Sequence, residues 1–414
     1  MLTRSTQWLQ PAATRFTPIY NPKDDSLVTD KHAICGEEDV NKTVATARAA
    51  FRGDWSLMSG AERGRSLSRL ADLLEQNHEE AAYAESLCSG RVMSQLLYEV
   101  PWIASVIRYY AGWADKLEGD TLPADDGFYK LVQHEPLGVC AGITPWNGPL
   151  MVLALKAAPA LAAGNTFILK PPEKSPLSSL YAGSLFAKAG IPDGVFNILT
   201  GDGLTGNLLA KHPDIDKVSF TGSVPTGRKI QEAANASNMK RVTLELGGKS
   251  PAIVFEDADI PAAVAALAQG ITMNAGQVCV ASSRVYVHRS VLDQVVSGIK
   301  TEFDRIASTI GADPQDASTT FGPVVDKQQH DRVHDFIEQG KKDARLVTGG
   351  YKHLGQGSYV PPTLFVEPGP EASIYKQEIF GPVLCVRPFD TEEEVVGYAN
   401  DTDFGLAGKL EATS

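Results

Sequence analysis

The sequence predicts an α/β protein with a doubly wound parallel sheet, a second α/β domain and a β-hairpin that projects from the body. Three observations support this fold class. Residues 39–118 carry apolar positions at helical spacing, and from Leu137 onward short apolar strands alternate with helical segments. The 414 residues also exceed what one hydrophobic core usually organises, which favours at least two domains.

The N-terminal helical region shows its pattern most clearly at Leu67, Leu70 and Leu74, which fall on one helix face. After it, residues 119–136 alternate loosely between apolar and polar positions around Gly127, which predicts the hairpin. We expect this hairpin to pair subunits of a homo-oligomer, either a dimer or a tetramer.

The alternation after Leu137 has the rhythm of βαβ units, and such units place ligands at the carboxyl ends of parallel strands. A boundary near Gly247–Gly248 separates a first domain, 1–118 with 137–247, from a second, 248–414. The predicted strands of the first domain are 138–143, 166–170, 195–199, 217–220 and 242–246, with helices over 149–163, 176–189, 204–211 and 226–236; the second domain continues with strands 251–255 and 283–287 and helices 259–275 and 291–309.

Composition excludes several function classes. A net charge of −12 disfavours nucleic acid and anionic lipid as partners, because both require a positive surface. The longest apolar stretch, 149–163, is too short to cross a bilayer. The five cysteines are scattered and form no CxxC pair, so we expect reduced thiols and no metal site.

The first residues are basic, with Arg4 and Arg15 before the first acid, Asp24, as in a weak transit peptide. A leader strand that ends before the turn at Asn21–Pro22 is the favoured interpretation, and cytoplasm is the expected compartment.

A glycine-rich GxGxxG pattern spans Gly201–Gly206, between a strand and a helix. The acid that should follow the next strand in a dinucleotide site is absent there, since Asp214 and Asp216 precede that strand. The pattern is therefore interpreted as a turn.

Two other strand ends are better candidates for binding a nucleotide. Gly222 and Ser223 open a helix whose amides can face an anion. Lys170 and Glu173 follow the second strand, where a carboxylate can accept both ribose hydroxyls and would repel a 2′-phosphate, which favours NAD over NADP. A solvent-exposed salt bridge is the alternative for this second pair.

Three segments concentrate polar chemistry in apolar surroundings. Cys279 lies among small residues, and a thiolate adds readily to a carbonyl and leaves a hydrolysable thioester. Glu245 ends an apolar strand, where desolvation should suit it to activate water. Asn147 follows a strand and can donate to an oxyanion. Their ordinary alternatives are a buried small hydrophobe, a structural acid and a turn residue.

These segments resemble the aldehyde dehydrogenase superfamily: PWNGP at 145–149, LELGGKSP at 244–251, GQVC at 276–279 and EIFGPV at 378–383. Order and spacing agree along essentially the whole chain. Thr272 departs from the cysteine signature, which prefers an apolar residue there. The resemblance implies a Rossmann-like NAD-binding domain, a catalytic domain and an oligomerisation hairpin.

The resemblance also implies roles for individual residues in an oxidation of an aldehyde to a carboxylic acid with NAD⁺. Cys279 would be the nucleophile and Glu245 the base that activates water. The Asn147 amide and the Cys279 backbone N–H would bind the oxyanion, and Lys156 would relay protons. The implied cofactor-binding residues are Trp146, Lys170, Glu173, Gly222, Ser223, Gly227, Leu246, Glu378 and Phe380.

Two departures qualify this prediction. Gly148 stands where many members carry a bulky aromatic residue, which favours a larger aldehyde. The sequence ends at Ser414, whereas similar proteins continue, so we expect an incomplete catalytic domain with unpaired sheet edges. The alternatives are a truncated homologue that binds nucleotide or a partner without oxidising aldehydes efficiently, and a thiol enzyme that acts on an ester.

Overall fold

The computed structural model describes residues 2–4, 7–9, 11–12 and 15–412. The chain divides into two compact units. Unit 1 comprises residues 1–19, 28–85 and 96–245, and unit 2 comprises residues 20–27, 86–95 and 246–414.

Five helices form the region for which helical spacing was predicted. Leu67, Leu70 and Leu74 are buried along one of them, as the pattern indicates. The side chain of Ser59 accepts a hydrogen bond from the amide of Glu62 and so caps that helix at its start. The helices are α1 Glu37–Arg52, α2 Asp54–Leu57, α3 Gly60–Gln76, α4 His78–Ser89 and α5 Met93–Trp113.

The remaining elements of the N-terminal half include the strands and helices of the predicted sheet, each within two residues of its expected limits. The strands are β1 Leu2–Arg4, β2 Gln7–Leu9, β3 Phe16–Asn21, β4 Ser26–Ala33, β5 Asp120–Leu122, β6 Lys130–Val132, β7 Val139–Ile143, β8 Thr166–Lys170, β9 Phe196–Ile198, β10 Lys217–Thr221 and β11 Arg241–Glu245. The helices are α6 Pro149–Ala162, α7 Leu177–Lys188, α8 Gly203–Lys211 and α9 Val224–Asn235.

The sheet of unit 1 is parallel throughout, with strand order β11-β10-β7-β8-β9. Helices α6 and α7 pack with α3, whereas α8 and α9 pack with each other and α8 contacts α1. The chain therefore winds in opposite directions from the central strand β7, which is the doubly wound topology that the sequence predicts. The switch point lies between β7 and β10, where such sheets bind ligands.

The predicted hairpin is present as β5 and β6, which pair antiparallel with Asp120 opposite Val132. Apolar side chains on and beside the hairpin strands are exposed, among them Phe128, Tyr129 and Leu131.

Unit 2 contains a six-stranded sheet with order β14-β15-β16-β13-β12-β17, parallel except at the edge strand β14. Its core includes buried Val254, Val285 and Val386. The elements are β12 Pro251–Val254, α10 Ile260–Thr272, β13 Arg284–His288, α11 Leu292–Ala307, α12 Lys327–Asp343, β14 Arg345–Thr348, β15 Thr363–Val366, α13 Ser373–Lys376, β16 Val383–Phe389, α14 Glu392–Asn400 and β17 Lys409–Glu411.

No helix in the described part of the chain is both long enough and apolar enough to cross a membrane.

Candidate active site

The strand ends of unit 1 meet at one edge of its sheet. The parallel register pairs Ile143 with Lys170 and with Phe220, and pairs Thr221 with Glu245. The loops that follow β7, β8 and β10 therefore leave the sheet side by side, and most of the residues predicted in this unit lie in them.

The loop after β7 carries Trp146 and Asn147, both half-buried. Thr144 anchors its start by donating its amide to the carbonyl oxygen of Lys170 at 3.2 Å. The Ser175 hydroxyl donates to the carbonyl oxygen of Trp146 at 2.7 Å and holds the next turn of the loop. Helix α6 begins two residues after Asn147, so this amide lies at the switch point of the sheet.

Lys170 and Glu173 form an ion pair after β8, with 3.1 Å between Nζ and Oε2. The ammonium group is buried, whereas the carboxylate is exposed to 43 %. Burial raises the pKa of Glu173, but the Lys170 ammonium and hydrogen bonds outweigh it and bring that pKa below its ordinary value. An ionised carboxylate with one open side can accept ribose hydroxyls.

Helix α9 offers an anion site at its start. A Cβ atom at Gly222 would lie 2.6 Å from the Phe220 ring, so glycine is required for this tight turn. The Ser223 hydroxyl bonds to Thr226 Oγ1 at 3.0 Å, and the first turn of the helix contains no acid. Gly227 is buried in the same turn. The amides and the positive helix end can therefore hold a phosphate.

The GxGxxG segment differs from this helix start. Asp202 caps α8 by accepting a hydrogen bond from the amide of Leu204 at 2.9 Å. A carboxylate thus occupies the position that a phosphate would take, which agrees with the turn interpretation.

The expected burial of Glu245 is wrong, because its side chain is exposed. Strand β11 is the edge of the sheet, and its residues alternate between exposed and half-buried positions. Desolvation was expected because Glu245 ends the apolar run VTLEL, whereas this strand leaves alternate residues, Glu245 among them, exposed to solvent. The backbone oxygen of Glu245 accepts from the amide of Gly222 at 3.0 Å, which ties this strand end to the start of α9.

Lys156 is buried on α6. Its Nζ donates to Ser219 Oγ at 2.8 Å. Burial lowers the pKa of Lys156 to about 8, and the Glu245 carboxylate opposes that shift. An amine with a pKa near neutrality can give and take a proton.

In unit 2, Cys279 follows an unusual turn. Helix α10 ends at Thr272, earlier than predicted, and the next residues form a short turn from Met273 to Gly276. Asn274, Ala275 and Gly276 all have positive φ. All five cysteines are thiols; Cys279 is half-exposed, whereas the other four are buried.

The buried side chain of Gln277 holds this turn. Its Nε2 donates to the carbonyl oxygen of Asn274 at 2.9 Å, and its Oε1 accepts from the amide of Val325 at 2.8 Å. A Cβ atom at Gly276 would lie 2.2 Å from the backbone of Gly381, so the cysteine turn and the EIFGPV segment are in close contact.

The LELGGKSP segment meets both of these segments. Within it, Leu246 is half-buried. A Cβ atom at Gly248 would lie 2.6 Å from the carbonyl oxygen of Cys279, and one at Gly247 would lie 2.1 Å from Glu378 Oε2. The amide of Gly248 donates to Glu378 Oε1 at 3.0 Å. The glycines of this motif, the GQVC turn and the EIFGPV segment therefore converge within unit 2.

Helix α12 positions the segment that carries Glu378 and Phe380. Arg332 donates to the carbonyl oxygens of Glu378 and Ile379, each at 2.9 Å, and Gln329 donates to that of Phe380 at 2.8 Å. Phe380 has a φ of 61°, an uncommon conformation for a bulky residue. Burial raises the pKa of Glu378 above its ordinary value.

Sequence reasoning assigned no role to Gln277, Gln329 or Arg332. Gln277 lies inside the GQVC motif and was therefore open to prediction. The two residues of α12 act through backbone atoms about 50 positions away, for which the sequence contains no local signal.

Comparison with known proteins identifies the family of this chain. The model of the aldehyde dehydrogenase family matches residues 8–414. The chain belongs to that family. It is 42% identical to aldehyde dehydrogenase, cytosolic 1, of Mus musculus, over 97% of this chain and 81% of the relative. It is 43% identical to retinal dehydrogenase 2 of Homo sapiens, over 98% of this chain and 79% of the relative.

Among solved structures, the NAD⁺ complex of aldehyde dehydrogenase from Bacillus cereus superposes with a TM-score of 0.94 at 41% identity, covering 99% of this chain and 83% of that one. The predicted fold class and the predicted oxidation of aldehydes with a nicotinamide dinucleotide are thereby confirmed. This aldehyde dehydrogenase carries the Lys170–Glu173 ion pair and the acid-free start of α9 at the strand ends of unit 1. No finding favours a homologue without oxidoreductase activity or an esterase.

Proposed function

We propose that Cys279 is the nucleophile of this aldehyde dehydrogenase and that the enzyme releases a free carboxylic acid. The observation that carries the proposal is the convergence of LELGGKSP, GQVC and EIFGPV in unit 2, where Gly248 packs against Cys279 and bonds Glu378. A half-exposed thiol on a fixed turn is accessible to an aldehyde, whereas the four buried thiols are not.

The thiolate of Cys279 adds to the aldehyde carbon and forms a tetrahedral thiohemiacetal. The Asn147 amide and the backbone N–H of Cys279 donate to its oxyanion. A bound nicotinamide cofactor would supply the hydride acceptor, and loss of the hydride from the adduct carbon leaves a thioester on Cys279. Glu245 then removes a proton from water, which attacks the thioester, expels the thiolate and yields the acid.

An exposed Glu245 suits this last step in one respect. A carboxylate that is open to solvent receives water directly, and Lys156 nearby, with its lowered pKa, can take up and pass on the proton. Because Glu245 can activate water, hydrolysis of the thioester is favoured over transfer of the acyl group to another thiol.

Cofactor binding is assigned to two sets of residues. In unit 1, Lys170 and Glu173 would hold the adenosine ribose and Gly222, Ser223 and Gly227 the pyrophosphate. In unit 2, Glu378 would accept hydrogen bonds from the nicotinamide ribose. Trp146, Leu246 and Phe380 complete the proposed set. The ionised Glu173 carboxylate would repel a 2′-phosphate, so NAD is the preferred cofactor.

The physiological aldehyde is proposed to be larger than acetaldehyde, since Gly148 leaves space beside the catalytic amide. Retinal dehydrogenase 2 is named for a bulky aldehyde, and its similarity supports this size class. We also propose that the enzyme is a homo-oligomer and that it is located in the cytoplasm.

To test the proposal, the purified chain is mixed with NAD⁺ and each of a panel of aldehydes, and the absorbance of NADH is followed. Cys279→Ala should abolish NADH formation and retain NAD⁺ affinity, measured by calorimetry. Cys35→Ala removes a buried thiol as the matched control and should keep the activity. Turnover by Cys279→Ala at the wild-type rate would refute the assignment of the nucleophile.

A further inference from the structure

Two histidines on α12 face each other across one helical turn. His330 and His334 are four residues apart, which places them on the same face, and their ring centroids are 4.5 Å apart. They are the only two of the eight histidines in the sequence that lie within four residues of each other. Neither has a role in the mechanism above.

The ring of His334 is buried without satisfied nitrogens. It is 2% exposed, and neither Nδ1 nor Nε2 has a hydrogen-bond partner in the described part of the chain. Burial lowers the pKa of His334 to about 4, so the ring is neutral at physiological pH and has a lone pair to offer. Buried polar atoms of this kind normally have a partner, and the helix supplies none.

His330 presents the complementary arrangement. Its Nδ1 lies 3.1 Å from Asp331 Oδ1, and a proton on Nδ1 leaves the lone pair on Nε2. Histidines that bind metals usually donate their second nitrogen to a carboxylate or carbonyl in this way. Its side chain is partly exposed, which gives an ion a route to the pair.

The charges around the pair are nearly balanced. Asp331 and Glu338 contribute negative charge, and Lys352 contributes positive charge close to His334. Lys341 forms an ion pair with Glu338. Because the net charge is close to zero, the two imidazole nitrogens decide which ion binds. Ca²⁺ and Mg²⁺ prefer oxygen ligands and are therefore disfavoured.

We propose that His330 and His334 together bind one divalent transition-metal ion. Two imidazoles that share an ion at ordinary metal–nitrogen distances have ring centroids about 4.5–5 Å apart, which matches the observed separation. No third His, Cys, Asp or Glu joins the pair among the described residues, so water completes the coordination.

The ion would clip the turn of α12 that also carries Arg332. This arginine holds the carbonyl oxygens of Glu378 and Ile379, so the site lies one helical turn from residues that position the proposed cofactor segment. The binding site itself uses none of the residues assigned to catalysis.

Calorimetric titration of the full, untagged chain with NiCl₂ tests the proposal. The parent protein for this test carries Cys279→Ser, because the half-exposed thiol would also bind metal, and every variant is made in that parent. One ion per chain is expected, and His330→Ala should weaken its binding at least tenfold. His353→Ala removes another half-buried histidine and should leave the affinity unchanged.

Electron paramagnetic resonance with one equivalent of Cu²⁺ gives a second readout. Coupling to two imidazole nitrogens is expected, and it should fall to one in His334→Gln. Equal affinity in the parent and His330→Ala, no saturable binding, or a parent spectrum with a single nitrogen would each overturn the proposal. If His334→Gln does not fold, the comparison between His330→Ala and His353→Ala decides.

Discussion

Lys156 shows how a single buried residue connects stability with pH. The unfolded chain holds its proton up to the ordinary pKa near 10.5, whereas the folded chain releases it near 8. Between these values the unfolded state binds more protons, so the stability of the folded state rises with pH. Below pH 8 the buried charge lowers stability.

Lys156→Met should therefore change the pH dependence of unfolding. From pH 7 to pH 9.5 the wild type should gain about 2 kcal/mol relative to the variant, since each pKa unit is worth about 1.4 kcal/mol. Urea unfolding at both pH values measures the difference. Lys188→Met, at an exposed lysine on α7, is the control and should show no such gain; the same gain in both variants would contradict the prediction.

Glu173 is the residue that should set cofactor preference. Glu173→Gln removes the charge that repels a 2′-phosphate and leaves Lys170 in place, so KM for NADP⁺ should fall at least tenfold and KM for NAD⁺ should rise. Glu232→Gln, on the exposed face of α9, should change neither constant. Initial rates with both cofactors measure the ratio, and an unchanged ratio would show that Glu173 does not discriminate.

Gly148 should determine the size of the accepted aldehyde. Its φ of −163° is not in the left-handed region, and an added Cβ would meet only Met151 Cε, at 3.5 Å, so there is space for a side chain. Gly148→Phe should reduce kcat/KM for bulky aldehydes at least tenfold more than for acetaldehyde. Equal losses for small and large substrates would reject a role in selecting size.

Individual residues also mark the limit of inference from sequence. Cys279, Glu245 and Asn147 were predicted because their chemistry and their flanking residues agree. The exposure of Glu245 was not, since an apolar run does not reveal whether its strand lies at the centre or the edge of a sheet.

Among the structural elements, the turn before Cys279 departs furthest from the predicted helix. Three consecutive residues with positive φ are costly where they are not glycine, and Asn274 and Ala275 are kept there by the two hydrogen bonds of Gln277. Helices α6 to α9 were predicted closely, because their periodic apolar faces span whole segments. A left-handed turn of ordinary residues has no such repeating pattern.

Gln277→Ala should loosen this turn and displace the thiol. It leaves the buried amide of Val325 without its acceptor, so we expect kcat to fall at least tenfold while the affinity for NAD⁺ changes little. The rate at which iodoacetamide alkylates Cys279 should change as well. Gln76→Ala, at the exposed end of α3, is the control, and loss of thermal stability with unchanged kcat and alkylation rate would indicate a merely structural role.

At the level of the whole molecule, the sequence predicted the βαβ order and the doubly wound sheet. It did not predict that two short segments of the N-terminal half belong to unit 2. Residues 20–27 and 86–95 belong to unit 2. Asn21 bonds to Gln315, and Ser94 bonds to the backbone of Thr319. These contacts join positions more than 200 residues apart, and no local pattern announces them.

The hairpin gives the prediction that concerns the assembly. A two-stranded hairpin alone is marginally stable in water, and this one exposes Phe128, Tyr129 and Leu131, the last to 62%. Pairing between subunits would bury these side chains, so Leu131→Asp should place a charge in that interface. Light scattering after gel filtration should show a smaller oligomer for this variant. Leu354→Asp introduces the same charge at a fully exposed leucine and should retain the wild-type mass, whereas an unchanged mass in Leu131→Asp would place the subunit contact elsewhere.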